Sequence, residues 1–318
     1  MHDATQWGVE CLLRQFPKAR ITVEPIDTLA HSEVSRIRVA DAIERSYIVK
    51  SGTHPLMYRE FVFYRELSPL LPDEICPRCF FSVDLDGVYA VLLEDVEGSP
   101  IEVNAYPPEA RVEQFVIALT KLHRHSQTIE DLQNRWAEAF TNHAYNTVRG
   151  RAEVLQARIN SFLAEWAERL ESESLWVLKG LPGLTGVIES LGEETIVHGD
   201  AHFGNAIFGN GWARLIDWGN TALGIGEIDL AHAIALNLPR NYGGRLEKKM
   251  IRLYSDHLGQ DIEKTWKRYR AGVLYAIASS LGMREFGVPD WEKLFENSMQ
   301  AALDLDAFQL IFDLPPKK

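Results

Sequence analysis

The character of this sequence changes once, and that change limits what the chain can fold into. Up to about residue 97 it runs in short β-branched segments separated by polar breaks: ARITVEPIDTLA, EVSRIRVA and RSYIVK. The stretch CFFSVDLDGVYAVLLED adds two apolar strands around Asp86-Gly87, a dipeptide suited to the type I′ turn of a hairpin. Between them lies HPLMYREFVFYRELSPLL, where Leu56, Phe61, Tyr64 and Leu67 recur at helical spacing and Pro69 helps to end the run. Beyond EGSPIEVNAYPP the apolar residues follow a helical period. Val112, Phe115, Leu119 and Leu122 share one face, with Pro108 near the first turn. Helical stretches follow over about 130–146 and 148–171, residues 196–217 are strand-like again, and from GEIDLAHAIA onward the pattern is helical. This predicts an α+β protein with two lobes: a small sheet-rich lobe over 1–97, a connector near 94–100, and a larger helix-rich lobe over 98–318. A cleft between such lobes is the expected place for a small ligand.

A chain of 318 residues has room for about two domains. Its 46% hydrophobic and 25% charged residues are those of a globular protein and argue against disorder. A formal net charge of −12 disfavours nucleic acid or an anionic membrane as partner and suits a cationic substrate. The start, MHDATQWGVECLLRQF, lacks the basic region and apolar core of a signal peptide. No apolar run reaches the roughly 18 residues of a membrane helix; VLYAIASSLGM is broken by serines and glycine. A soluble, cytoplasmic protein is expected. Three cysteines do not make a disulfide framework. Cys76 and Cys79 form CPRC, but zinc needs two further ligands, and a redox pair normally opens a helix whereas RCFFSVDL reads as strand. They are expected to be buried or loop thiols.

The chemistry-bearing segment is HGDAHFGN, His198 to Asn205, followed by LIDWG with Asp217 at the end of an apolar strand. An aspartate can accept a proton from an attacking hydroxyl. An asparagine oxygen and a second aspartate can hold Mg²⁺, a hard cation that takes oxygen ligands. Phosphoryl transfer needs this combination: a base or positioner for the nucleophile, and metal ions that neutralise the phosphates. The spacing D-x-x-x-x-N, followed by Asp-aromatic-Gly, matches the catalytic loop and metal-binding element of protein kinases.

The run IVHGDAHFGNAIF…ARLIDWGNTALGIGEIDLAHAI resembles the aminoglycoside phosphotransferase and choline kinase-like superfamily of small-molecule kinases. The resemblance is strong over 196–236 and moderate over 45–97. It implies a protein-kinase-like two-lobed fold with a small antiparallel-sheet lobe and a larger helical lobe. Asp200 resembles the catalytic aspartate, His198 the supporting histidine that braces the loop, and Asn205 and Asp217 the Mg²⁺ ligands; His202 is expected to support the site from behind. Asp229 resembles the carboxylate that hydrogen-bonds the catalytic loop, with a simple N-cap as the alternative reading. Lys50, at the end of RSYIVK, stands where the family keeps its phosphate-contacting lysine. Glu60 resembles its partner, and Glu66 in the same helix competes; six positions apart, they face different ways. LLEDVEG resembles the hinge, whose backbone at Glu94 and Val96 would hydrogen-bond adenine.

Three departures narrow the reading. No G-x-G-x-x-G lies over the phosphates; LAHSEVSR is the matching turn, which makes Ser32 or Ser35 the phosphate contact by resemblance. No G-x-x-x-x-G-K-[ST] occurs, which excludes a P-loop kinase. No A-P-E-like element follows IDWG, so activation-loop control of a protein substrate is not expected. GLPGLTG reads as a loop, EKTWKRYR as a solvated helix face, and His123 and His125 as dipole compensation at a helix end. Glu165, Glu168, Glu171 and Glu173 read as an exposed helix face, with recognition of an amine as the alternative. The resulting expectation is a phosphotransferase that uses ATP (GTP being the alternative donor) and Mg²⁺ to phosphorylate a hydroxyl of a small molecule. The acceptors weighed are a choline-like alcohol, an antibiotic, a sugar or nucleoside, and a hydroxyamino acid. FQLIFDLPPKK lacks the carboxylate-rich ending that aminoglycoside kinases use, which counts against that class. A protein kinase and a catalytically silent pseudokinase are the rivals.

Overall fold

The computed structural model describes residues 4–29, 32–101, 106–140, 147–154, 183–192, 194–285, 288 and 290–313. Among these, nine strands occur in chain order: β1 (Arg20–Leu29), β2 (Ser32–Ala40), β3 (Glu44–Gly52), β4 (Cys79–Leu85), β5 (Val88–Glu94), β6 (Thr195–Val197), β7 (Ala206–Phe208), β8 (Ala213–Leu215) and β9 (Ala222–Gly224). The rest is mainly helical, so the protein is α+β with the kinase-like organisation that the sequence predicts. By contact the chain divides into residues 1–100 with 205–221, and residues 101–204 with 222–318.

In the first unit, β1 to β5 form an antiparallel sheet in the order β1-β2-β3-β5-β4. The β4–β5 turn has Asp86 at φ 54° and Gly87 at φ 87°, the two positive values of a type I′ turn. One face of the sheet packs on a helix that the sequence reading did not assign, Ala4–Gln15. Its Ala4, Gly8 and Leu12 lie four apart and are buried. Leu12 meets Ile37, Val39, Tyr47, Val49 and Leu92. The helix comes so close that a Cβ on Gly8 would lie 2.5 Å from Val49 Cγ2.

The second face of β3 and β5 carries the helix Pro55–Val62, begun by Pro55 with His54 Nδ1 accepting the Leu56 N–H at 3.2 Å. It continues as a π turn, Phe63–Leu67, and a 3₁₀ turn, Ser68–Leu70. The hairpin β7–β8 also groups with this unit, although the sequence reading placed 205–221 within the lobe 98–318. The reason is backbone pairing: Ser99 and Phe208 exchange N–H···O bonds at 3.1 and 3.0 Å, and the Leu215 N–H donates to the Ile75 carbonyl at 2.8 Å.

The second unit is built on helices. Val112, Phe115, Leu119 and Leu122 of the helix Glu109–Ser126 are fully buried, as their spacing requires. Further helices span Leu132–Ala139, Leu184–Leu191, Glu227–Ala231 with a π turn His232–Leu236, Arg240–Leu258, Ile262–Glu285, Trp291–Asp304 and Gln309–Phe312. β6 pairs with β9, Thr195 opposite Gly224. The EKTWKRYR segment is not wholly solvated: Arg268 is buried, donates to the Leu191 and Gly192 carbonyls at 3.0 and 2.8 Å, and faces Glu227. Most of the predicted stretch 148–171, the end of 130–146, Gly180 and the four glutamates 165–173 lie outside the described residues. No described helix is long and apolar enough to cross a membrane.

Overpacking a filled contact costs about 1–3 kcal/mol. Gly8→Val is therefore expected to lower the midpoint of denaturant unfolding by that amount of stability; an unchanged midpoint would refute close packing of the first helix on the sheet.

Candidate active site

The first unit brings Lys50, Glu60, Asn205 and Asp217 toward one another by three separate devices. Lys50 is near the end of β3, opposite Val91 of β5. Helix Pro55–Val62 presents Glu60, whose carboxylate lies 2.6 Å from Lys50 Nζ; Asp217 Oδ1 lies 2.9 Å from the same nitrogen. Glu66, the competing candidate, is held instead by Arg65 at 2.6 Å. The third device is the short hairpin. Ala206 pairs with Leu215, and the Ile216 N–H donates to the Asn205 carbonyl at 2.9 Å. Asn205 just before β7 and Asp217 just after β8 therefore come to the same end of the hairpin. The eleven residues between them are the two strands, their turn and Ile216.

Glu60 is buried and Lys50 is largely so, and a charge in such a place is tolerated when it is paired. Burial works against the Lys50 charge, but Glu60 and Asp217 outweigh it and hold the ammonium above its ordinary pKa. Burial likewise pushes Glu60 upward, with Lys50 opposing. Asp217 sits in the left-handed backbone region at φ 65° and ψ 70°. A non-glycine residue pays on the order of 1–3 kcal/mol to be held there. One carboxylate and one amide oxygen are donors that suit Mg²⁺, which takes one or two carboxylates and leaves its other positions to phosphate oxygens and water.

The remaining candidates of this unit separate by strand parity. Ser32 and Ser35 both lie in β2 rather than in the turn before it. Val34 is opposite Lys50 and Ser35 is opposite Val49, so Ser35 lies on the face covered by the first helix, away from Lys50. That rules Ser35 out as a phosphate contact, whereas buried Ser32 shares the parity of Lys50. Glu94 ends β5, and its N–H donates to the Arg78 carbonyl at 2.8 Å. Val96 follows in irregular backbone. Asp95, missed in the sequence, anchors this stretch: its carboxylate accepts from Arg36 Nε at 2.6 Å and Ser46 Oγ at 2.5 Å. Cys79 opens β4 as expected, and burial pushes the thiols of Cys76 and Cys79 up to about 12, so neither is a thiolate nucleophile at neutral pH. These cysteines line a cavity of about 460 Å³ that includes none of the residues of the motif.

The second unit holds Asp200, whose loop is gripped by one buried carboxylate. Asp229 accepts the His198 N–H at 2.6 Å and the Gly199 N–H at 2.9 Å. It is therefore the loop clamp and not an N-cap, a position that Gly226 occupies. His123 Nε2 lies 3.1 Å from Asp229, and His123 Nδ1 lies 2.7 Å from Tyr254 Oη. A carboxylate can only accept, so Nε2–H donates to Asp229, while Nδ1 and the Tyr254 hydroxyl form the second hydrogen bond. His123 is thus a buried strut of the site and not a dipole compensator. Burial by itself would raise the Asp229 pKa; the His123 bond and charge, His198 and the Gly199 N–H bring it below the ordinary value.

Asp200 has two further histidines beside it. His202 Nδ1 accepts the Gly204 N–H at 3.1 Å, and its Nε2 stands 4.0 Å from Asp200 Oδ2. His232 Nε2 stands 3.5 Å from Asp200 Oδ1. His232 and His123 were missed as site residues. The signal for His232 was present: in DLAHA it lies three residues after Asp229, on the same helical face. His198 is fully buried within the gripped loop, the place of a brace.

The phosphotransferase enzyme family model matches residues 22–271. The chain belongs to that family. This phosphotransferase also resembles solved structures over most of its length. A choline kinase from Cryptosporidium parvum Iowa II superimposes with a TM-score of 0.63 at 12% identity, over 95% of each chain. A Plasmodium vivax ethanolamine kinase gives 0.59 at 14%, over 89% of this chain and 81% of that one. APH(2″)-IIa, in a ternary complex with streptomycin and ATP, gives 0.55 at 16%, over 97% and 99%. At these identities the likeness is one of fold. No curated protein sequence matches the phosphotransferase.

Burial lowers the His232 pKa against the opposing pull of Asp200. In the unfolded chain a histidine takes up its proton near pH 6.5; the folded one does so only at lower pH. Between those values the unfolded state binds more protons, so stability falls as pH drops below about 6.5. Tm measured from pH 7 down to 5 is expected to fall less steeply in His232→Gln than in the unsubstituted protein, and parallel slopes would refute a neutral buried His232.

Proposed function

We propose that this phosphotransferase moves the terminal phosphoryl group of ATP, bound with Mg²⁺, onto a hydroxyl of a small molecule. The observation that carries the proposal is the triad in the first unit: one lysine shared between a buried glutamate at 2.6 Å and an aspartate at 2.9 Å. Glu60 would fix Lys50 on the phosphates. Asn205 and Asp217 would hold Mg²⁺, which supplies charge neutralisation to the phosphate oxygens. Asp200 would accept the hydroxyl proton, with Asp229 holding its loop rigid and His232 and His202 bracketing its carboxylate. Ser32 and the backbone of Glu94 and Val96 complete the proposed nucleotide contacts. Structures of similar fold include a choline kinase, an ethanolamine kinase and an enzyme bound to streptomycin. With a net charge of −12 on this chain, hydroxyl compounds carrying an amine or quaternary nitrogen are the first acceptors to test, followed by sugars, nucleosides and hydroxyamino acids. GTP belongs in the same assay as a second donor.

Asp200→Ala is expected to lower turnover by roughly 10²–10⁴ while nucleotide binding, followed by calorimetry, stays within a few-fold. A variant retaining more than about a tenth of kcat would remove Asp200 from the proton-accepting role. Lys50→Ala and Glu60→Gln should act as one unit on kcat/KM, each costing most of what the double substitution costs. A coupling below about 0.5 kcal/mol, the usual additivity error, would reject the pair.

A further inference from the structure

We infer that Arg59 is a positioning residue for the metal-binding carboxylate of Asp217, an inference that rests on the proposed role of Asp217. Arg59 belongs to the helix Pro55–Val62 and is buried. Its Nε donates to the Gly219 carbonyl at 3.2 Å and its Nη2 to the Thr221 carbonyl at 2.5 Å. These carbonyls lie two and four residues after Asp217. The turn begins at Asp217, which lies in the left-handed region at φ 65°, a conformation that aspartate tolerates better than most residues.

Further contacts of the turn come from the same helix and its continuation. Trp218 stacks on Phe63 with ring centroids 4.0 Å apart and planes within 6°, and its Nε1–H donates to the Leu215 carbonyl at 3.2 Å. A Cβ at Gly219 would lie 3.0 Å from the Leu56 carbonyl oxygen, so turn backbone and helix backbone abut directly. Arg59 and Glu60 are consecutive residues. Glu60 holds Lys50, which touches the Asp217 side chain, and Arg59 holds the Asp217 turn through its backbone. The helix thus fixes the carboxylate from both sides. A guanidinium can do this because its planar fork offers several donors in fixed directions and spans two carbonyls; an ammonium is a single point.

Partners behind a metal ligand are typically worth 10–100-fold in metal affinity. ATP binding is measured by calorimetry with and without Mg²⁺ for the unsubstituted protein, Arg59→Ala, Asp217→Asn and the double variant. Arg59→Ala is expected to weaken binding with Mg²⁺ by ~10-fold or more and to leave metal-free binding within about twofold. In the Asp217→Asn background it should cause no further metal-dependent loss, because the carboxylate it positions is gone. Arg59→Lys, which keeps the charge and the stem, should show an intermediate loss that is again confined to the Mg²⁺ condition, and it serves where the alanine variant does not fold. Equal losses with and without Mg²⁺, a loss that persists in the Asp217→Asn background, or Arg59→Lys binding like the unsubstituted protein would each overturn the inference while leaving the phosphotransfer reading standing. An unsubstituted protein that binds no nucleotide in either condition would overturn both.

Discussion

Glu60 and Lys50 are charged groups placed where water is scarce, and that one ion pair dictates much of the first unit. Neither charge is tolerable there alone; an unpaired buried charge costs several kcal/mol. The end of β3 and the helix Pro55–Val62 must therefore arrive together, with nitrogen and oxygen 2.6 Å apart. Asp217 joins the same nitrogen from the hairpin side, so three segments distant in sequence share one charge balance. The position of Lys50 is thereby set by its partners rather than by its own flexible stem, which its proposed phosphate contact would require.

The second unit solves a similar problem with a buried anion. Asp229 is fully buried, and its charge is balanced by the two backbone N–H groups of the 198–199 loop and by His123, itself backed by Tyr254. Hydrogen bonds to a charged acceptor are stronger than neutral ones. Such a clamp gives the loop carrying Asp200 little freedom to reorient, which is what the proposed role of Asp200 as proton acceptor would need.

Two π turns, Phe63–Leu67 and His232–Leu236, each follow a helix that supplies site residues, Pro55–Val62 and Glu227–Ala231. A π turn inserts extra residues into a helical turn and re-aims the side chains after it, and such turns recur at functional sites. Here the first carries Phe63 to Trp218 and the second carries His232 to Asp200. Neither turn was readable from the sequence, because hydrophobic spacing at a period of 3.6 does not report the hydrogen-bond pattern of a single turn.

The sequence by itself determined the α+β class, the Asp86-Gly87 hairpin and the buried face of Glu109–Ser126, and it singled out Asp200, Asn205 and Asp217 as candidates for the site. Each is set by local rules: period, turn chemistry, or the residue types that one reaction demands. It favoured Glu60 over Glu66 without settling the pair, and it missed the first helix, His123, His232 and Arg59. It also left Ser32 and Ser35 as alternatives for the phosphate contact. Only the tertiary structure decided these, because each depends on which face or partner a residue meets from a distant part of the chain. Glu60 is distinguished from Glu66 by Lys50 and not by its own neighbours. Strand parity, fixed by the pairing of β2 with β3, sends Ser35 to the far face. His123 is a site residue because Asp229, 106 positions away, is buried against it. A local pattern fixes what a residue can do, while long-range packing fixes the atom it does it to.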